Sequence, residues 1–239
     1  MIDNVKGKVK IFLSSLRSDR KKQLLVLGGG IVVIAIFIVL VIVFSDNVFL
    51  AGSLYDPDEE KFKSEYEELN TMVTDDNQKY PIVNIPADNN IKYNTYDAVL
   101  KIFDNNGDAV VYLGTPTCAY CRNAIQVLLD TAKSMDLNVI NYLEVDERND
   151  GYDKLMKKLG DNFIVEENNQ KSIYSPLVLF ITNGSVVSYN KGTLFSQTDP
   201  FVKMDDSQIQ GLSEIYKYGI NDVLTSIKIK SGATNNSNS

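Results

Sequence analysis

The chain has 239 residues, 44% of them hydrophobic and 23% charged, with 24 basic and 31 acidic side chains giving a net charge of -7. It contains no histidine and only two cysteines, so the four ligands of a structural zinc site are not available. The acidic balance argues against nucleic acid as a partner, because such partners select basic surfaces.

The average conceals two unlike parts. Lys6, Lys8, Lys10, Arg17, Arg20, Lys21 and Lys22 crowd the start, and between Leu24 and Phe44 the chain carries no charged residue. A helix rising ~1.5 Å per residue over that stretch crosses a hydrocarbon core of about 30 Å. The expectation is a cytoplasmic basic tail at 1–23 and a transmembrane helix at 24–44, with the remainder extracytoplasmic. The apolar run exceeds a signal-peptide core and no small-x-small cleavage site follows it, so the segment reads as an uncleaved, single-pass anchor in the cell membrane.

Residues 45–90 read as an acidic helical spacer and linker. Within them 56–75 is rich in Glu and Lys, with Phe62, Tyr66, Leu69 and Met72 at helical spacing. This amphipathic helix leads out of the membrane, either packed on the domain or standing as a spacer, and 80–90 with Pro81 and Pro86 reads as irregular linker. A regular domain is expected over 91–230, beginning with a short strand at 91–93 and a helix at 96–103. Asp104, Asn105, Asn106, Gly107 and Asp108 then signal a turn. The apolar run 109–113 suits a central buried strand.

That strand delivers the chain into Gly114-Thr115-Pro116-Thr117-Cys118-Ala119-Tyr120-Cys121-Arg122, which holds both cysteines in a C-x-x-C pair. Ile125, Leu128, Leu129, Ala132 and Met135 follow at helical period, so the pair sits in the first turn of a helix entered from a loop. Unpaired N–H groups and the positive dipole end favour a Cys118 thiolate there, making Cys118 the attacking thiol and Cys121 the resolving one. A structural disulfide closing so short a loop would remove little unfolded-state entropy. Two buried, inert thiols would not need the polar approach from Gly114 to Thr117. A soft-ion carrier for Cu(I) needs only two thiolates and stays open, although no methionine lies in the loop. No metal and no cofactor is otherwise expected.

Beyond the cysteine helix, 138–144 reads as a strand, 152–159 as a helix and 160–171 as a polar loop or insertion. The segments 177–181 and 185–189, joined by Thr182, Asn183 and Gly184, read as a hairpin. Helical structure continues over 209–227, and the small, polar 231–239 reads as a disordered tail.

An α/β domain of a central mixed sheet flanked by helices, with a cysteine pair opening the second helix, resembles the thioredoxin superfamily. The residues carrying the likeness are the Cys118 to Cys121 pair after an apolar strand, Asp146 after the next strand, Ser175-Pro176 before an apolar strand, and Lys191-Gly192 closing the hairpin. The resemblance implies thiol-disulfide oxidoreductase activity. It implies a cis Pro176 beside the cysteines, the Ser175 backbone pairing with an extended substrate segment, and Thr117, Ala119 and Tyr120 as further substrate contacts. The implied partners are protein thiols or disulfides of exported or membrane proteins, with no redox partner specified.

The departures bear on mechanism. There is no tryptophan, Thr117 precedes the pair and Ala119-Tyr120 separates it, so the direction of electron flow does not carry over. Tyr112 and Tyr142 occupy positions where thioredoxin proper has a buried Asp and Lys, and they are expected to be core. Proton removal from Cys121 is then expected to use water, Glu144 or Asp146. The whole chain is similar to membrane-anchored thioredoxin-like proteins of Gram-positive bacteria, including bacteriocin transport accessory proteins. A non-enzymatic accessory subunit of an export or envelope assembly is the competing reading.

Overall fold

The computed structural model describes residues 57–167 and 169–236. The expected basic tail and the expected membrane anchor at 24–44 lie outside the described residues. Among the described residues, no helix is long and apolar enough to cross a membrane.

A five-stranded mixed sheet organises the domain. Its strands are β1 (Ile91–Tyr93), β2 (Ala109–Gly114), β3 (Ile140–Glu144), β6 (Leu177–Thr182) and β7 (Ser185–Lys191), in the order β1-β3-β2-β6-β7. The first three run parallel, while β6 pairs antiparallel with both β2 and β7. Among the described residues, five α-helices flank it: α1 (Pro57–Glu68), α2 (Tyr96–Asp104), α3 (Ala119–Ser134), α4 (Tyr152–Leu159) and α5 (Asp206–Asn236).

All six residues of β2 are buried, because helices cover both faces of the sheet. Period-two alternation sends Val110 and Tyr112 to one face and Val111 and Leu113 to the other. On the first face α3 contributes Ile125 and Leu128, and α5 contributes Leu212, Tyr216 and Ile220. On the second, Val99 and Phe103 of α2 meet Tyr152 and Leu155 of α4. Thr95 caps α2 by accepting from the Ala98 amide at 3.2 Å. The β6–β7 turn needs Gly184 at φ 69°, since a Cβ there would meet the Phe103 carbonyl oxygen at 2.2 Å.

Three sequence expectations are corrected. Residues 57–90 are not a spacer: Phe62 and Tyr66 of α1, and Val83 and Ile85 after it, belong to the core on the first face. The Asn89 side chain donates to the Glu59 and Pro86 carbonyls, and Asn90 donates to the Leu137 carbonyl at 2.6 Å. The apolar spacing of α1 announced a buried face, but periodicity does not say what covers it. Residues 160–171 are not a loop but a 3-10 turn (Asp161–Phe163) and a hairpin of β4 (Ile164–Glu167) and β5 (Gln170–Ile173). Its polar composition reflects a two-stranded ribbon that buries only Ile173. Finally, the tail expected at 231–239 continues α5 as far as Asn236.

Candidate functional site

The end of β2 sets the position of the cysteines. Gly114 lies where a Cβ would sit 2.7 Å from the Tyr112 hydroxyl oxygen and 3.2 Å from the Cys121 Sγ, so only glycine lets the chain leave the sheet this close to the inner thiol. The loop then closes on itself. The Thr115 hydroxyl lies 2.7 Å from that of Thr117 and accepts from the Thr117 amide at 3.1 Å. Cys118 is the N-cap of α3 and its Sγ accepts the Cys121 amide at 3.1 Å.

Both thiols are free, Cys118 half-buried and Cys121 fully buried. The Ser175–Pro176 peptide, which is cis, brings a second chain segment against them. Ser175 Oγ stands 3.3 Å from Cys121 Sγ, and the Ser175 carbonyl oxygen is 3.9 Å from Cys118 Sγ.

These surroundings separate the two thiols electrically. Hydrogen bonding from the Cys121 thiol, and then from the Cys121 and Tyr120 amides and Ser175, lowers the Cys118 pKa below the usual thiol value, against the opposing effect of burial. Burial and the neighbouring Cys118 push Cys121 well up. One sulfur is prepared to ionise and the other to stay protonated.

The remaining expected site residues divide. Tyr120 lines an open groove of about 720 Å³ together with Ser175, and its hydroxyl points to the Thr198 carbonyl at 3.5 Å. Pro176 is buried, Thr117 is exposed, and Ala119 is only 8% exposed. Tyr112 and Tyr142 are buried and stack at 5.6 Å, and their hydroxyls donate to the Cys121 and Gly114 carbonyls. Asp146 holds Arg148 at the surface, and the oxygen within hydrogen-bonding distance of Cys121 Sγ is that of Ser175.

Sequence reading missed three contributors. Arg122 is fully buried directly behind the pair. Tyr66 reaches from α1 to place its hydroxyl 3.2 Å from that of Tyr112. Phe195 stands wholly exposed at the groove, where Gln197 is buried with its side-chain carbonyl oxygen unpartnered. The α1 periodicity pointed to Tyr66; an arginine in a helical first turn carries no signal that it will be buried.

No protein-family model and no curated protein matches the chain. Among solved structures, thioredoxin O2 from Arabidopsis thaliana in its oxidised state matches with 16% identity and a TM-score of 0.32, over 53% of this chain and 93% of that one.

Proposed function

We propose that this protein is a thioredoxin-like thiol-disulfide oxidoreductase, tethered to the cell membrane through residues 24–44 and acting outside the cytoplasm on cysteines of exported or membrane proteins. One observation carries the chemistry: a half-buried Cys118 at a helix N-cap lies over a buried Cys121, and Ser175 joins both to an open groove.

The Cys118 thiolate attacks a substrate disulfide, forming the Cys118–substrate disulfide and releasing one substrate sulfur as thiolate. Cys121 then loses its proton to the departing sulfur or to water and attacks Cys118 Sγ. The Cys118–Cys121 disulfide forms, the second substrate sulfur leaves, and two electrons have passed to the substrate. In reverse, the pair accepts two electrons and the substrate gains a disulfide. The groove between Tyr120 and the chain from Gly192 to Thr198 holds the polypeptide beside its cysteine.

The test is trapping. Cys121→Ser should accumulate mixed disulfides through Cys118 that a reductant releases, and the Cys118→Ser, Cys121→Ser double variant should give none. Absence of adducts while Cys118 is still alkylated would remove the exchange mechanism.

A further inference from the structure

β7 ends the sheet order, so one of its edges has no neighbouring strand among the described residues. Its pairing with β6 fixes which main-chain groups face that edge. The Gly192 N–H donates to the Pro176 carbonyl at 2.8 Å, and the register then sets Asn190 opposite Val178 and Ser188 opposite Phe180. An antiparallel ladder alternates bonded and unbonded pairs, so Asn190 and Ser188 turn their main-chain groups to β6 while Tyr189 and Lys191 turn theirs outward. Among the described residues those outward groups meet no hydrogen-bond partner. Such a row is a template for a further strand.

Where this edge leads identifies the strand it would take. Asn190 and Lys191 line the groove of about 720 Å³ that also holds Ser175 and Tyr120 beside the thiols. Ile215 of α5 borders both that groove and a second hollow of about 380 Å³, which Ser188 and Tyr189 of β7 share with Tyr218 of α5. The redox groove therefore continues along β7. Its flank is apolar and open to solvent, with Tyr218 72% and Tyr189 44% exposed. Side chains of an added strand alternate between its faces, and those on the α5 side would cover Ile215 and Tyr218. The register shift between Phe180 and Ile181 leaves Val187 unpaired, so the regular stretch of β7 is the half next to the thiols.

We propose that the outer edge of β7 docks the substrate as an added strand, so that the protein acts on cysteines carried by extended, unfolded polypeptide. It rests on the thiol-exchange reading and names the substrate class. β7 runs toward the thiols, so an antiparallel partner runs away from them and the reacting cysteine precedes the docked segment. The added strand lies three spacings of about 4.8 Å from β2, whose end leads into the cysteines, a span that about four extended residues cover. Those residues cross the groove, and Tyr189 and Lys191 then exchange main-chain hydrogen bonds with the segment that follows.

The experiment uses the full-length Cys121→Ser protein and peptides of about ten residues, with the cysteine first, a flexible linker next and a Val/Thr segment last. Each peptide carries its cysteine as a mixed disulfide with thionitrobenzoate. The Cys118 thiolate attacks the peptide sulfur, the Cys118–peptide disulfide forms, and thionitrobenzoate leaves as a coloured thiolate. N-methylation of alternate amides in the Val/Thr segment should slow this reaction about tenfold for one alternate set, which faces β7, and less than about twofold for the other. Tyr189→Pro removes an outward N–H but no bond to β6, and it should slow the unmethylated peptide about tenfold relative to the glutathione mixed disulfide. Tyr189→Ala loses the ring but keeps the amide, and should slow it less than about threefold. Two methylated sets that react alike overturn the inference on the Cys121→Ser protein itself, whether or not the proline variant folds. A protein that sediments as a dimer until Tyr189→Pro dissociates it also overturns the inference, because the edge then belongs to a second copy. If neither peptide nor glutathione ever forms an adduct, the exchange reading itself fails.

Discussion

At Cys118 and Cys121, hydrogen bonding and burial pull two identical side chains in opposite directions, and this split reaches the stability of the reduced protein. Cys118 has its native pKa lowered. Between that value and the ordinary thiol pKa of about 8.5, the unfolded chain holds a proton that the native state has lost, so stability rises with pH. Cys121 has its native pKa raised. Above about 8.5 the unfolded thiol ionises while the native one cannot, so stability falls with pH. Reduced protein should therefore show a stability maximum near the ordinary thiol pKa, and a double-serine variant should lack it. Thermal or urea unfolding across pH 6 to 10 measures this, and parallel profiles for the two proteins would contradict the assignment. The cysteine pair was legible from its spacing in the first turn of a helix, and Ser175-Pro176 only through the resemblance that this pair carries. Arg122 was not, because its acceptors come from the carbonyls of Tyr66, Pro81 and Pro116, and no side-chain pattern announces a carbonyl.

Among the elements, the sheet and the helices facing it were readable wherever apolar period met a strong boundary, as at Thr95 before α2 or Asn183-Gly184 between β6 and β7. The β4–β5 hairpin escaped because a ribbon that buries only Ile173 has almost no apolar alternation to detect. It nonetheless supplies Val165 and Glu167 to the groove beside the thiols. Across the groove, the loop after β7 presents Phe195, which is wholly exposed and gains nothing from the fold by standing there. On the exchange reading proposed above, this ring is where a substrate polypeptide would make contact. Phe195→Ala should change stability by less than about 0.5 kcal/mol, as surface changes do. It should slow exchange with a polypeptide disulfide several-fold while leaving the rate with oxidised glutathione unaltered, since a tripeptide cannot fill the groove. Equal slowing of both reactions would place Phe195 in the support of the thiols instead.

For the molecule as a whole, the decisive correction is where the domain begins. Composition placed the boundary at 91, at the end of a polar, proline-containing stretch, because acidic helices and irregular segments lack the marks of a sheet core. The described residues form one compact unit, with the first core face completed from outside the sheet order. Phe62 stacks on Tyr66 with ring centroids 4.3 Å apart and meets Tyr142 edge-on at 4.9 Å, so α1 covers aromatic surface on β3. Tyr93 donates to the Glu65 carboxylate, and the Lys63–Glu67 pair binds both backbone groups of Ile85, fixing the return segment. Removing one large aromatic of this kind typically costs about 3–5 kcal/mol, comparable to the ~5–15 kcal/mol that holds a domain together. A variant lacking residues 57–90 loses two such rings, Val83, Ile85 and three of the four residues that accept from Arg122. It should therefore lose its cooperative unfolding transition and near-ultraviolet dichroism while retaining much of its helical signal. A sharp transition within a few degrees of the parent would mean that the sheet and its remaining helices are self-sufficient and that the extension only decorates them.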